Sequence, residues 1–333
     1  MINSTFLNNQ CVKPSVKIDG IYSLIIAYPY PFRRKQSEPV AYFVVFSYNE
    51  TDEFRGDKMK HWTTIFPSET VRFLDDTHKT LKPYQSFAVD DALIETIDHS
   101  QPVIRLWRHH PYVILGIADT KLPYLTDGVT FLNDNGYDVV VRNSGGLAVV
   151  ADHGVLSVSL ILPEAKTMSI NEGYEKMVAF VKEVLKPWTD NIEAFEVVGS
   201  YCPGDYDLSI GGKKFAGISQ RRVKSGLSVQ IYLALTADNQ SRATLIQQFY
   251  QRAKQGEDTR FTYPEVDPDT MASLSTLVGE PLDTDQLVAR IKAVLNEHFT
   301  ISDTPLTEEE QQIFKRREQQ MIDRNKKALG PLF

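Results

Sequence analysis

Hydrophobic positions along the chain change period several times, and each change predicts an element. Val103–Trp107 and Tyr112–Ile117 are apolar runs that predict strands on either side of a break at His109-His110-Pro111. Asp138–Arg142 is a β-branched run of the same kind. Leu156, Val158, Leu160 and Leu162 alternate with Ser157, Ser159 and Ile161, and Leu227, Val229, Ile231 and Leu233 alternate with Ser228, Gln230 and Tyr232. A period of two predicts half-buried strands. Helical spacing takes over at Tyr174, Met177, Val178, Val181 and Leu185, with Pro187 as the stop, and again at Ile246, Phe249, Tyr250 and Ala253. Leu287, Val288, Ile291 and Leu295 make a further stripe.

Local signals set the boundaries. Ser86 predicts the N-cap of a helix with Asp90 and Asp91 in its first turn and Ile94 and Ile97 on its buried side. Gly211-Gly212, between Asp207–Ile210 and Lys213–Ala216, signals a two-residue hairpin. Thr307 with Glu310 is a capping box that opens a charged helix running to about Asn325. Hairpins mixed with helical crossovers give an α+β class: a mixed or antiparallel sheet with flanking helices. Three parts follow: an N-terminal extension over 1–58, a catalytic domain over 59–265, and a small helical C-terminal subdomain over 266–333. Residues 1–58 have two readings. They are a genuine extension that adds strands, or translated upstream sequence with Met59 as the initiator.

Composition narrows the function classes. The 333 residues carry 36 basic and 43 acidic side chains, a formal net charge of -7. A general nucleic-acid binder needs a cationic surface, so that class is set aside. No apolar run approaches the ~18–20 residues of a membrane span, and the first residues lack a signal-peptide pattern. The expectation is a cytoplasmic protein with no membrane segment. Cys11 and Cys202 make no disulfide framework. Neither CxxC nor HExxH occurs, so no metal and no cofactor is expected.

Two segments can carry chemistry. Around Arg142, Ser144, Gly145 and Gly146, tandem glycines let a backbone approach a ligand closely, while serine and arginine supply donors. Around Cys202, Pro203-Gly204 predicts a turn that puts the cysteine on a loop. Lys213 and Lys214 follow on the hairpin and point to opposite faces, so one at most faces inward. An inward ammonium stabilises a thiolate. Gly217 allows another group to come near. His109, His110 and His153 are weaker candidates, and a Ser144, His153, Asp152 triad can be drawn only on paper.

Both segments carry a family resemblance. The chain resembles the lipoate–protein ligase and octanoyltransferase superfamily, related to the biotin ligase catalytic domain. Ligases there have an arginine, a serine and a glycine triplet, then histidine-aspartate. Here Leu147 stands for the third glycine and Ala151 for the histidine, while Asp152 and Gly154 are kept. The superfamily lysine maps onto Lys214 of Lys214-Phe215-Ala216-Gly217. The stretches Arg142–Val149 and Gly199–Gly217 are similar to the octanoyl-[glycine cleavage system H protein]:protein N-octanoyltransferases. The likeness runs from about Phe73 to about Asn325 and has no counterpart for 1–58, which favours the Met59 reading.

The resemblance implies a biotin/lipoate ligase-like catalytic fold and an acyltransferase. Octanoyl would pass from the glycine cleavage H protein to Cys202 as a thioester, then to lysines on lipoyl domains of 2-oxoacid dehydrogenase E2 subunits. Lys214 would lower the Cys202 pKa, and Arg142, Ser144, Gly145, Gly146 and Gly217 would bind substrate. Two other classes stand beside it: an enzyme using octanoyl-acyl carrier protein or ATP, and a non-catalytic module that binds lipoyl domains.

Overall fold

The computed structural model describes residues 62–333, apart from 67, 98–100, 164–165 and 237, and the backbone of four strands nearer the N-terminus. Met59, expected as an initiator, lies outside the described residues. Met1–His61 and Trp62–Phe333 form two compact units. In the first, β1 (Thr5–Leu7), β2 (Gln10–Ile18), β3 (Ile21–Ala27) and β4 (Phe43–Asn49) make an antiparallel sheet in sequence order.

The second unit holds two sheets. Its strands are β5 (Thr70–Asp76), β6 (Val103–Trp107), β7 (Tyr112–Leu115), β8 (Asp138–Val141), β9 (Val149–Ala151), β10 (Val155–Leu162), β11 (Glu193–Ala194), β12 (Leu208–Ile210), β13 (Lys213–Val223), β14 (Gly226–Ala234) and β15 (Thr300–Ser302). Eight of them pair in the order β11-β12-β13-β14-β10-β6-β5-β15, and three in the order β8-β7-β9. The larger sheet is antiparallel except at β6-β5-β15, so it is mixed. The helices are α1 (Pro83–Thr96), α2 (Leu125–Asp134), α3 (Ile170–Leu185), α4 (Asn239–Lys254), α5 (Leu274–Val278), α6 (Thr284–Asn296) and α7 (Glu308–Leu329).

The two faces of the large sheet differ in chemistry. Leu156, Val158 and Leu160 of β10 join Val229 and Leu233 of β14, Met177 and Phe180 of α3, and Leu287 and Ile291 of α6 in one apolar core. The opposite face carries Trp107 and Arg105 from β6, Ser157 and Ser159 from β10, and Tyr232 and Gln230 from β14, which the register sets side by side. It is covered by α1 and by the small sheet, whose Val113, Val140 and Val150 pack with α2 and α4 in a second core. Both faces are therefore covered, and β10 is buried along its whole length. Alternation of Leu with Ser predicts a half-buried strand. The serines face a buried carboxylate instead of water: Asp90 accepts from Arg105 Nη1 at 2.8 Å, Ser159 Oγ at 2.6 Å and Gln230 Nε2 at 2.6 Å. A buried charge is tolerated when it is paired and hydrogen-bonded in this way.

Asp90 reaches that position because α1 begins earlier than the Ser86 signal predicts. Pro83 occupies the first turn, where its fixed φ suits a helix, and Gln85 Oε1 accepts from the Lys82 N–H at 2.9 Å. Ser86 lies inside the helix and is buried, and Asp90 and Asp91 come about two turns in, facing Gln230 and Arg221 of the sheet. The C-terminal segment is tied to the same framework. β15 pairs with β5, and α7 opens on the Thr307–Glu310 capping box and packs on α1. Arg72 of β5 makes a bidentate bond to Glu310 at 2.7 and 2.9 Å and also donates to the Thr304 and Pro305 carbonyls.

Both partners of that pair are buried. Arg72→Ala therefore leaves Glu310 charged and unpaired, and should cost about 3–5 kcal/mol. Urea unfolding of the variant measures this, and a loss below ~1 kcal/mol would show that water reaches Glu310.

Candidate functional site

Cys202 sits on the loop between β11 and β12, with a left-handed backbone (φ 47°) that is uncommon for any residue but glycine. The loop is held from beneath by one ammonium. Lys214 is fully buried and its Nζ donates to Ser200 Oγ at 3.2 Å, the Tyr201 carbonyl at 3.0 Å and the Cys202 carbonyl at 2.9 Å. Asp207 Oδ1 lies 2.9 Å away as its counter-ion, while Oδ2 accepts from the Gly204 and Val197 N–H groups. Burial pushes the Asp207 carboxyl up, against the pull of the Lys214 ammonium. Lys213, one residue away on the hairpin, is exposed. The hairpin itself turns through Gly211 and Gly212, both at positive φ, as a two-residue loop requires.

The sulfur meets the other segment. Leu147 N–H donates to Cys202 Sγ at 3.1 Å, and Arg142 Nη2 lies 3.4 Å from it. The same Nη2 donates to the Leu147 carbonyl at 2.6 Å, which closes the loop Arg142–Leu147 on itself. Gly146 (φ 97°) turns the chain so that the next N–H faces the sulfur, and a Cβ there would meet the Arg142 guanidinium and stand 2.9 Å from Sγ. Only glycine fits this position. Ser144 is buried with no hydrogen-bond partner for its Oγ within the protein, whereas Gly145 is exposed. Gly217 lies opposite Tyr232, and a Cβ on it would stand 2.8 Å from that ring.

Arg142, Ser144, Gly145, Gly146, Cys202 and Gly217 all line one cavity of about 230 Å³, and Lys214 lies behind it. Away from Cys202 its walls combine the apolar Phe87, Trp107, Ile114 and Val149 with Ser157, Ser219 and Gln230. The histidines are elsewhere. His109, His110 and His153 line a separate cavity of about 130 Å³. Burial holds His109 neutral, its pKa lowered to about 3. Asp152 makes a bidentate bond to Arg242 at 2.5 and 2.8 Å, so the paper triad with Ser144 is not assembled. Among the described residues no group of three or more His, Cys, Asp or Glu is placed to hold a metal ion, and no helix is long and apolar enough to cross a membrane.

Asp119 and Tyr250 also belong to the site's frame, and sequence reading passes over both. Asp119 accepts from the Gly116 N–H at 2.7 Å and from Tyr250 Oη at 2.9 Å, and Tyr250 in turn accepts from the Ala148 N–H at 3.3 Å. These bonds fix the loop that presents Leu147. Tyr250 was legible only as part of an apolar helix face. Asp119 stands three residues after a strand-ending glycine, a spacing too common to single out.

Residues 82–296 match the family described as "Lipoyl protein ligase A/B catalytic domain". A relative from Oceanobacillus iheyensis named "Octanoyl-[GcvH]:protein N-octanoyltransferase" is 49% identical over 276 residues, covering 80% of this chain and 99% of its own. A protein of the same name from Staphylococcus aureus is 43% identical over 265 residues, covering 78% and 95%. The chain belongs to the lipoyl protein ligase A/B catalytic domain family, and within it groups with these octanoyltransferases. Solved structures share the fold at lower identity. Lipoate-protein ligase A bound with ATP superposes with a TM-score of 0.61 at 17% identity, over 79% of this chain and 99% of the other. A bi-partite lipoate protein ligase from Thermoplasma acidophilum gives 0.57 at 17% identity, over 79% and 96%.

Burial raises the Asp119 carboxyl to a pKa of about 6. Between roughly pH 4 and 6 the folded protein keeps a proton there that the unfolded chain releases. Stability is therefore lost as pH rises through that window. Asp119→Asn removes the dependence. Compared with the variant, the wild-type protein should lose on the order of 2–3 kcal/mol between pH 4 and 7 in urea unfolding. Parallel profiles would mean that Asp119 stays ionised throughout.

Proposed function

We propose that the protein moves an octanoyl group from the octanoylated glycine cleavage H protein to lysines of lipoyl domains on 2-oxoacid dehydrogenase E2 subunits, with Cys202 as the intermediate carrier. The relatives' names support the donor and the acyl group. The observation that carries the chemistry is a cysteine sulfur on a cavity wall, touched by one backbone N–H and one guanidinium. Both contacts are N–H donors aimed at the sulfur, and a thiolate is the reactive form of a cysteine.

In the first half-reaction the Cys202 thiolate attacks the carbonyl carbon of the octanoyl-lysine amide. A C–S bond forms, the C–N bond breaks, and the departing lysine amine takes up from water a proton equivalent to the one the Cys202 thiol released on forming its thiolate. In the second, the amine of the acceptor lysine attacks the thioester. The C–S bond breaks, a new amide forms, and the amine's proton passes to the released sulfur. N–H groups of the Ser144–Gly146 segment support the oxyanion of both tetrahedral intermediates. The Ser144 hydroxyl, buried and without a protein partner, adds a donor where the acyl carbonyl would sit. Gly145 and Gly146 let the substrate come near, and Gly217 leaves room beside Tyr232.

Lys214 has a more indirect part than an ammonium beside the thiolate. With three oxygen partners on the loop and Asp207 as counter-ion, it acts by holding the Cys202 backbone in place. Arg142 then supplies the cation nearest the sulfur. The reaction needs no ATP and no metal, and it belongs to the cytoplasm, where both carriers would be met.

Incubation with octanoylated H protein, without ATP, should add one octanoyl mass to the protein, releasable by hydroxylamine. Cys202→Ala should abolish both the adduct and transfer to a lipoyl domain. Undiminished transfer in that variant refutes the mechanism. Lys214→Ala should slow transfer by about 100-fold or more, the scale of a misplaced reacting group, while Lys213→Ala changes it less than about twofold. Equal effects would count against the assignment.

A further inference from the structure

The cavity runs from Cys202 along the strands of the large sheet, and the register fixes its direction. Tyr232 lies opposite Gly217, beside the Lys214 side chain, and its ring stacks on Tyr201 with centroids 6.1 Å apart. Tyr232 thus marks the cysteine end. Gln230 is two residues further along the same face of β14, about 6–7 Å away. Beyond it β14 runs towards α1, where a Cβ on Gly226 would meet the Ile94 carbonyl. Level with Tyr232 the face carries only Gly217 on β13 and Ser157 on β10, and level with Gln230 β13 carries Ser219. Their missing volume is the chamber.

Towards Gln230 the side chains become large and fixed. Gln230 lines the cavity and its amide is clamped by Asp90 at 2.6 Å. Trp107, opposite Ser157 on β6, lines it too, and its indole reaches the Gln230 level by donating from Nε1 at 3.0 Å to Ser159 Oγ, which itself donates to Asp90. Phe87 packs edge-on against Trp107 with centroids 5.8 Å apart. Asp90 is held by the fully buried Arg105, which also pairs with Asp76 at 2.6 Å. One buried node therefore pins two cavity-lining side chains. A clamped amide and indole do not swing aside for a longer ligand as a free side chain does, because releasing either leaves a buried polar group unpaired.

We propose that Gln230, clamped by Asp90, is the end wall that sets the length of acyl chain accepted, with Ser157 setting the bore of the chamber before it. This deepens the octanoyl-transfer reading and rests on it. Gln230 and Ser157 act as specificity-determining residues: they touch the tail of the acyl group and not the reacting atoms. An apolar pocket discriminates roughly 10- to 200-fold per methylene, so a wall moved by a few atoms should register clearly.

The test is the Cys202 adduct formed from H protein carrying hexanoyl, octanoyl or decanoyl amides, read by intact mass over time. Gln230→Ala should raise the decanoyl-to-octanoyl rate ratio at least about tenfold over wild type. Ser157→Val, which fills the chamber without touching Asp90, should raise the hexanoyl-to-octanoyl ratio by a similar factor and keeps the test open if the first variant does not fold. Octanoyl adducts in both variants with chain-length ratios within about twofold of wild type overturn the end wall and leave octanoyl transfer standing. No adduct of any length on the wild-type protein overturns the octanoyl-transfer reading, and the wall with it.

Discussion

The geometry around the candidate nucleophile depends on the buried contact between Lys214 and the loop that carries Cys202. That loop has no regular secondary structure, and its central residue holds an unfavourable backbone angle. Such a conformation persists only when surrounding contacts over-determine it. Lys214 provides them, because one ammonium engages three consecutive residues, Ser200, Tyr201 and Cys202. Asp207 answers its charge and ties the far arm of the loop to the same point. The hairpin through Gly211 and Gly212 makes this possible, since it turns Lys214 inward and leaves Lys213 in solvent.

The second loop is organised on the same plan with a different ion. Arg142 closes it by binding the Leu147 carbonyl and faces the sulfur with the same nitrogen. Asp119 and Tyr250 brace it from behind. The sulfur thus lies where two rigid loops meet, each fixed by a charged side chain. The relatives carrying the octanoyltransferase name match over most of the chain. The ligase structures share the fold at 17% identity, so they speak to the scaffold alone.

Much of this was legible in the residues. Leucines alternating along β10 and β14 marked the two central strands, the double glycine marked the hairpin, and the Thr307–Glu310 box marked the start of α7. The family motifs point to Cys202, Lys214 and Arg142. Periodicity misjudged what the serines of β10 face. A polar residue on a strand reads as solvent-facing, but Ser159 faces a carboxylate delivered from 69 residues earlier in the chain. An acidic residue in the first turn that Ser86 predicts needs no further explanation, so local pattern hides the role of Asp90 as a buried hub. Asp119 escaped for a similar reason: its partners Gly116 and Tyr250 are far apart in sequence. Local pattern reports what a residue can do, and these roles arise from which distant groups arrive beside it.

β10 belongs to two interiors at once. Its even-numbered residues fill an apolar core, and its odd-numbered serines shape a cavity wall and bind a buried charge. Robustness and selectivity are thus interleaved on a single strand at intervals of one residue. A lineage can redraw the chamber through positions such as Ser157 while Leu156 and Val158 keep the sheet intact, and it can retune the core without touching the ligand. The strand acts as a partition between two kinds of evolutionary change.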